Sequence, residues 1–437
     1  ENLLFHYQSF RGTGREKMTK SNLSVPMGRS FIPWTAPDDV VFPVSRGVRP
    51  PRGTPEDALS EPEGSPSLGV LSAAASRIAV VLPDATRLWQ NVPLMAEALR
   101  SEIQRNTANP VTWIIGAGLH RAPSRDETAL LLGGAFRPAD RVLWSDPAQV
   151  RDTGLRTSRG TPVAAAPEAL DADLLVLAGG IGYHDLAGFS GGRKALLPGI
   201  SGKESVQNNH GLCLAGGIQG LQVNVGRISG NSTAEDMEEY GRLIGQDRKI
   251  FLLNVIPDEK GSPHCYAAGS LEAGWRKGVE LAKVLQTLYI PQKAALIVAS
   301  SGGYPYDIDL YQATKTISAC LGALLPGGGL VLCAALEDGM GPGNFGRDLL
   351  LSLSDQEELF RQLEQDFTIP GFIALKIVHD MKSHPAALIA AKEGVPFPGR
   401  TFASFDEGMK WIRPRVPVGP VVYVPAGNCI VLKADEE

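Results

Sequence analysis

Short apolar runs that alternate with amphipathic segments constrain the fold more than any other feature of this sequence. The runs are RIAVVLPD, VTWIIGAG, DRVLW, ADLLVLAGG, KIFLLNVI, AALIVASSGG, GGLVLCAAL and GPVVYVPAG. Strands that are apolar throughout are buried on both faces, which is typical of parallel sheets covered by helices. The sequence therefore predicts an α/β fold with mostly parallel sheets.

The length of the chain predicts two domains. The chain has 437 residues, whereas a single hydrophobic core stops growing at roughly 250–300 residues. The segment YIPQK, after which the strand–helix pattern restarts, marks a boundary. We therefore expect an α/β domain over residues 71–288 and a second one over residues 289–437. Residues 1–70 are rich in Pro, Gly and Ser and should form a leader and edge strands that pack on the first domain.

Three helices carry signals that a structure can test. Ser232 and Glu235 fit a capping box for a helix that ends near Leu243. The run SLEAGWRKGVELAKVLQTL predicts a helix that ends near Leu288, and a further helix is expected from about Asp309 to Leu325.

Composition argues against nucleic-acid and membrane partners. The formal net charge is −5 and no long basic run occurs, so a nucleic-acid surface is not expected. The most apolar stretch, residues 319–336, is interrupted by PGGG and predicts a helix, a turn and a strand. Five cysteines without CxxC spacing, and a polar residue 1–20 segment, predict reduced thiols and a cytoplasmic location.

Polar segments follow four of the predicted strands. They are DATR (residues 84–87), GAGLHRAPS (116–124), the glycine-rich segment 179–210, and SGGYPYDIDLYQATK (301–315). Ligands of parallel α/β sheets bind beyond the carboxyl ends of the strands. We therefore expect these four segments to meet at one site.

The first two segments offer an anion binder and a proton carrier. Arg87 can hold a carboxylate or phosphate through two parallel hydrogen bonds. His120 can exchange a proton near neutral pH, which suits general acid–base catalysis. A plain structural role is open for each: an Asp84–Arg87 pair that closes a turn, and a loop histidine bonded to backbone.

The glycine-rich segment contains His184, Lys194 and His210. Its glycines allow close backbone approach, and its amides can form an anion-binding nest. It is not a Walker A loop, because Ala195 stands where a Ser or Thr would bind Mg²⁺. A phosphate- or nucleotide-binding transferase and a plain turn both stay open at this point.

The fourth segment places Gln312 and Lys315 one helical turn apart, where Lys315 can neutralise a carboxylate. A solvated helix face is the alternative. The seven histidines include no HxxxH or HExxH pattern, so a conventional zinc site is not indicated.

Taken together, the segments resemble the lactate racemase family. The motifs occur in the order DATR, GLHR, YHDLAGFSGGRKALLPG with His210 sixteen residues after Lys194, and YQATK. Weaker similarity extends from about Ser24 to the last strand. The resemblance implies two α/β domains with the active site in the cleft between them. It also implies a racemase or epimerase of small 2-hydroxy acids.

The resemblance implies a cofactor, the nickel pincer nucleotide, and residues that hold it. This group is pyridinium-3-thioamide-5-thiocarboxylic acid mononucleotide with Ni(II), and separate maturation enzymes make it. Lys194 would bond to it through a thioamide, and His210 would bind nickel. The other implied roles are acid–base catalysis by His120 and His184, cofactor contacts by Asp84, Thr86 and Arg87, and substrate binding by Arg87, Tyr311, Gln312 and Lys315.

One departure from the family pattern concerns the substrate. Leu88 and Trp89 follow Arg87, where lactate-specific members are expected to have a proline and a smaller residue. This predicts a reshaped pocket and a longer aliphatic 2-hydroxy acid as substrate. A non-catalytic binding homologue is a further alternative, although it would be expected to lack one of Lys194, His210, His120 and His184, which are all present.

Overall fold

The computed structural model describes residues 22–221, 224–390, 392 and 394–435. The strands, in chain order, are β1 (Asn22–Met27), β2 (Ser30–Thr35), β3 (Val44–Ser45), β4 (Ile78–Pro83), β5 (Val111–Gly116), β6 (Arg141–Trp144), β7 (Arg151–Arg156), β8 (Pro162–Ala165), β9 (Leu174–Gly180), β10 (Tyr183–His184), β11 (Gly188–Phe189), β12 (Lys249–Pro257), β13 (Pro263–Ser270), β14 (Thr287–Ile290), β15 (Ala294–Ser300), β16 (Leu324–Cys333), β17 (Ala386–Ile389), β18 (Arg400–Phe402), β19 (Val421–Val424) and β20 (Val431–Ala434).

The helices are α1 (Pro55–Ser60), α2 (Leu68–Ala74), α3 (Val92–Asn106), α4 (Arg125–Leu132), α5 (Pro167–Asp171), α6 (Lys203–Gly211), α7 (Ser232–Ile244), α8 (Ala273–Gln286), α9 (Leu310–Ala313), α10 (Lys315–Leu321), α11 (Phe345–Ser354), α12 (Gln356–Gln365), α13 (Ile369–Met381) and α14 (Phe405–Ile412).

The first lobe is a six-stranded sheet with helices on both faces. Its strand order is β13-β12-β9-β4-β5-β6, and the strands are parallel except for β13. Every residue of β9 is buried. Side chains of α2, α3 and α4 form the core on one face, and those of α5 to α8 form the core on the other. These contacts explain why the predicted strands are apolar throughout.

The second lobe is a five-stranded parallel sheet in the order β18-β17-β16-β15-β19. Helices α10 to α13 cover one face. The predicted α/β class with mostly parallel sheets is therefore confirmed. A small third sheet, β20-β14-β3, joins the lobes, because β14 follows α8 of the first lobe directly and leads into β15. The exact domain bounds stay a prediction.

The N-terminal hairpin packs on a different lobe from the one predicted. Leu23, Val25 and Trp34 of β1 and β2 share a core with Leu296 and Val331 of the second sheet. Only the later part of the 1–70 segment, with α1 and α2, packs on the first lobe. The expectation was wrong for the hairpin because its alternating apolar face fits any sheet that lacks a cover on one side. The expected leader over residues 1–21 lies outside the described residues.

Two helix predictions need correction at their ends. Helix α7 begins one residue after Asn231, whose side chain accepts a hydrogen bond from the Ala234 amide at 3.2 Å, so Asn231 and not Ser232 caps it. The helix expected over residues 309–325 is two helices, α9 and α10, separated at Thr314. The Thr314 hydroxyl donates to the Tyr311 carbonyl at 2.7 Å. Such local side-chain bonds compete with the helix ladder.

No helix among the described residues is long and apolar enough to cross a membrane. All five cysteines are described, and each is a free thiol.

Candidate active site

The carboxyl ends of β4, β5 and β9 bring the predicted site residues of the first lobe together. Asp84 follows β4, His120 lies shortly after β5, and His184 follows β9 on the short strand β10. Lys194 lies on a 3-10 turn, Gly192–Ala195, that packs across the ends of β9 and β4. The prediction that one edge of the sheet carries these groups matches this arrangement.

His120 is paired with Asp84. The distance from His120 Nδ1 to Asp84 Oδ2 is 2.5 Å, and the Thr86 amide and hydroxyl donate to Asp84 Oδ1 at 3.0 and 2.5 Å. Burial raises the pKa of Asp84, but these hydrogen bonds outweigh burial and hold the pKa below its usual value. Because the Asp84 carboxylate accepts the Nδ1 proton, the free Nε2 of His120 can accept a proton from a ligand.

His184 is held in one tautomer by backbone. The amides of Leu186 and Ala187 donate to His184 Nδ1 at 3.1 and 3.2 Å. A ring nitrogen that accepts two hydrogen bonds carries no proton, so the neutral ring carries its proton on Nε2. Nε2 lies 3.2 Å from Lys194 Nζ. Burial, followed by the charge of Lys194, lowers the pKa of His184 well below its usual value.

Lys194 can lose its proton near neutral pH. Burial, and then the positive charges of Arg87 and Arg193, lower the pKa of Lys194 from 10.5 to about 7. A neutral amine has a lone pair that can accept the Nε2 proton of His184, which agrees with the tautomer assigned above. A neutral amine is also the form that can act as a nucleophile.

The glycines around Lys194 are required for packing. An added Cβ at Gly191 would lie 2.5 Å from the Ile181 side chain, and one at Gly192 would lie 2.5 Å from the Trp275 ring. Both glycines have positive φ angles, 73° and 49°, which glycine adopts at little cost. The turn that presents Lys194 thus needs two residues without side chains.

The amides of this turn are bonded within the protein. The Gly192 amide donates to Asn254 Oδ1 at 2.8 Å, and the Lys194 amide donates to the Gly191 carbonyl at 3.1 Å. These two amides cannot also line an anion nest, so that interpretation of the glycine-rich segment is wrong for them.

His210 lies in the last turn of α6 and is almost fully buried, with 1% of its surface exposed. Burial, and then the charge of Lys194, lower the pKa of His210 to about 3, so the ring is neutral. Its Nδ1 has no hydrogen-bond partner among the described residues. A neutral, buried imidazole is the form that binds a metal ion.

The second lobe contributes Gln312 of α9 and Lys315 of α10, which follow β15 in the chain. Asp309 Oδ1 caps α9 by accepting from the Gln312 amide at 2.7 Å, and Lys315 Nζ donates to Gln312 Oε1 at 2.6 Å. Tyr311, also half-buried, packs edge to face on Phe345. The predicted proximity of Gln312 and Lys315 is thus present in the structure.

Charges on the two lobes act on one another across the cleft. Burial, and then the charge of Arg87 on the first lobe, lower the pKa of Lys315 from 10.5 to about 8, whereas Asp185 of the first lobe raises it. The same Arg87 lowers the pKa of Lys194. Arg87 is exposed and Lys315 keeps access to solvent. The two cations therefore lie at the open side of a cleft that also contains Lys194.

Two useful residues were missed by reasoning from the sequence. Asp84 was assigned to the cofactor, yet its carboxylate orients His120. Asn428 was not singled out, yet its side-chain amide donates to the carbonyls of Tyr306 and Gln312 at 3.0 and 3.3 Å. No signal in the sequence pairs Asp84 with His120, because only the parallel pairing of β4 and β5 brings them together.

The reshaped substrate pocket predicted from Leu88 and Trp89 stays a prediction. Leu88 packs against the core between the first sheet and α3, and Trp89 is 43% exposed. Leu88 is therefore accounted for by the core of the lobe.

The lowered pKa of Lys194 leads to a prediction for the cofactor-free protein. An amine-acylating reagent reacts with the neutral amine only, so its rate at Lys194 should level off above about pH 8. Peptide mass spectrometry after timed labelling measures this rate, with the exposed Lys203 in the same digest as a reference for reagent. A rate at Lys194 that still rises steeply near pH 10 would contradict the assigned neutral amine.

The fold and the cleft together define a two-lobed α/β enzyme with acid–base groups between its lobes. Two family models match the chain: the lactate racemase N-terminal domain over residues 49–220, and the lactate racemase C-terminal domain over residues 290–389. The lactate racemase of Thermoanaerobacterium thermosaccharolyticum is 28% identical over 364 residues, which are 80% of this chain and 83% of that protein. The lactate racemase of Lactiplantibacillus plantarum is 28% identical over 316 residues, which are 71% of this chain and 72% of that protein.

Solved structures share the fold. The lactate racemase apoprotein from Thermoanaerobacterium thermosaccharolyticum superposes with a TM-score of 0.82 at 22% identity, covering 94% of this chain and 100% of that chain. A Thermotoga maritima protein has a TM-score of 0.65 at 15% identity, with 89% of this chain and 100% of that chain covered. The chain belongs to the lactate racemase family. It is accordingly an isomerase of the racemase class, as the motifs predicted.

Proposed function

We propose that this enzyme racemises or epimerises small 2-hydroxy acids, lactate or a longer aliphatic homologue, with a nickel pincer nucleotide bound covalently to Lys194. The observation that supports this most is the position of the Lys194 amine. Its pKa is lowered to about 7, it lies 3.2 Å from His184 Nε2, and it shares a cleft with the two cations Arg87 and Lys315. A small carboxylic acid bound there would meet cations and proton carriers together.

The residues present fit such a cofactor. A neutral lysine amine is the form needed to make an amide-type bond, and His210 is a buried neutral imidazole. No group of three or more His, Cys, Asp or Glu side chains among the described residues could hold a metal ion. A metal bound at His210 would therefore take its other ligands from the cofactor, as a pincer provides. When bound, this group would accept and return the hydride of the substrate α-carbon.

Arg87 and Lys315 would bind the substrate carboxylate, because they face one cleft from opposite lobes. Gln312, which accepts a hydrogen bond from Lys315, would fix the direction of that amine, and Tyr311 would close the pocket beside it. Thr86 and Arg87 are exposed beside the cleft and could also contact the cofactor. Asp84 would act on the reaction through His120.

His120 and His184 would carry the hydroxyl proton. Inversion exchanges the positions of the hydroxyl and the side chain at the α-carbon, so a proton carrier is needed at each position. His120 presents Nε2 because Asp84 occupies Nδ1. His184 also presents Nε2, because two backbone amides occupy Nδ1. General acid–base catalysis of this kind contributes roughly 10²–10⁴-fold.

A deuterium experiment distinguishes hydride transfer from proton abstraction. Enantiopure lactate that carries deuterium at the α-carbon should give its mirror image with the deuterium retained, because hydride does not exchange with water. Chiral chromatography with mass detection, in ordinary water, measures retention at low conversion. Loss of most of the deuterium would point to α-proton abstraction and would overturn the hydride mechanism.

The chain length of the substrate tests the proposal that the enzyme acts on an acid longer than lactate. Racemisation rates for 2-hydroxypropanoate, 2-hydroxybutanoate and 2-hydroxypentanoate should peak above three carbons if the Leu88–Trp89 segment reshapes the pocket. The variant Trp89→Ala should shift the optimum further. A sharp optimum at lactate that Trp89→Ala leaves in place would remove the case for a longer acid.

A further inference from the structure

Both lobes contact the region of His210. The first lobe fixes the helix that carries it, and the second lobe contacts its ring. Its neighbour Asn209 is bonded to the first lobe, with Nδ2 donating to Asp236 Oδ2 at 2.8 Å and to the Thr233 carbonyl at 3.1 Å. These bonds fix the helix backbone of α6. They do not involve the His210 ring itself.

The ring lacks the usual orienting hydrogen bond. A histidine that binds metal commonly donates its other ring nitrogen to a carboxylate, a carbonyl or water, which sets the ring direction. His210 Nδ1 has no such partner among the described residues. The Val206 carbonyl, one turn earlier, favours the protonated ring without completing a hydrogen bond of good geometry. A contact from the second lobe adds to the interaction with this carbonyl.

Phe367 of the second lobe makes that contact. The ring centroids of His210 and Phe367 are 6.3 Å apart at an interplanar angle of 66°, an edge-to-face arrangement. Edge-to-face pairs with centroids 4.5–7 Å apart are favourable and directional. Phe367 is braced in turn by Phe372 of α13, whose ring centroid is 5.9 Å away.

A hydrogen bond links the two lobes at the same place. Gln207, one turn before His210 on α6, donates from Nε2 to Asp366 Oδ1 at 2.9 Å. Asp366 adjoins Phe367, so the bond and the ring contact join the same two segments. Leu214 and Ile218, which follow His210, also belong to the core of the second lobe.

We propose that Phe367 is a positioning residue for His210, and that the Gln207–Asp366 bond keeps Phe367 seated against its ring. This inference rests on the proposed function, in which His210 binds nickel. Phe367 acts through His210 and does not contact the reacting atoms. The second lobe would then supply both substrate binders and the orientation of the metal ligand.

The test uses enzyme produced together with the cofactor maturation enzymes. Nickel loss to excess EDTA is followed by metal analysis for wild type, Phe367→Leu, Phe367→Ala and Gln207→Ala. Removing an outer-shell partner of a metal ligand costs about 10–100-fold in metal affinity or activity. We expect Phe367→Leu to lose nickel about tenfold faster than wild type, with kcat lowered and KM unchanged.

Matched controls separate positioning from folding. Gln362→Ala removes a similar exposed amide bond, from Gln362 Nε2 to Glu358 Oε1 within α12, and should lose nickel at the wild-type rate. Phe367→Leu keeps apolar volume, so its Tm should stay close to wild type even if Phe367→Ala unfolds. Equal nickel loss in wild type, Phe367→Leu and Gln207→Ala overturns the inference alone. Wild type that never acquires nickel overturns both the inference and the proposed function.

Discussion

Lys194→Ala should abolish the covalent adduct and reduce racemase activity to background. In the proposed mechanism the hydride chemistry belongs to the cofactor, and the proposed bond to Lys194 keeps the cofactor in the cleft. Lys194→Arg should be equally inactive, because a guanidinium stays charged and cannot form the bond. Activity is measured by chiral chromatography, and the adduct by intact mass.

The control for this variant is Lys203→Ala. Lys203 is exposed at the start of α6, on the same stretch of chain. It should keep wild-type activity and adduct. Substantial turnover in Lys194→Ala without an adduct would show that the cofactor acts unattached, and turnover without any cofactor would refute the mechanism.

His120→Ala should lower kcat by about 10²–10⁴-fold while KM changes little. In the proposed mechanism the imidazole carries the hydroxyl proton, whereas the carboxylate is bound by other groups. Bound nickel should be unaffected, because His210 is untouched. His384→Ala is the control, since His384 bonds to the Gly328 carbonyl before β17, at the opposite end of the second sheet from the cleft. Near-wild-type turnover in His120→Ala would refute its assignment as a proton carrier.

Asp84→Asn tests the same residue through its partner. The Thr86 amide and hydroxyl donate to Oδ1, so an asparagine there would keep its carbonyl on Thr86 and turn its amide toward His120. The ring would then be driven to carry its proton on Nε2, where it cannot accept one. Asp84→Asn should therefore lower kcat strongly in wild type and hardly at all in the His120→Ala background. Additive losses in the double variant would contradict this coupling.

The sequence predicted the carboxyl ends of the strands well, for a physical reason. A parallel strand buried on both faces is apolar along its whole length, and the polar residues begin where it ends. His120 and His184 were located in this way, and their position after β5 and β9 needs no knowledge of packing. The Gln312–Lys315 pair was predictable from helical spacing alone.

Pairings between distant segments were beyond such reasoning. Asp84 and His120 are 36 residues apart, and only the parallel pairing of β4 and β5 brings them together. The hairpin β1–β2 shows the same limit, since its apolar face does not specify which sheet it covers. Gly191 and Gly192 are a third case. Their sequence is compatible with a ligand cradle, but in the structure they are required because Ile181 and Trp275 pack against them.

The central claim is that Lys194 carries a sulfur-containing ring whose nickel is bound by His210, and intact mass with metal content tests it most directly. The enzyme is produced with the maturation enzymes, weighed intact, digested to locate any added mass, and assayed for nickel. The account predicts an adduct on the peptide that contains Lys194, together with about one nickel per chain. An unmodified Lys194 peptide and no nickel, from cells shown to load another member of the family, would contradict it.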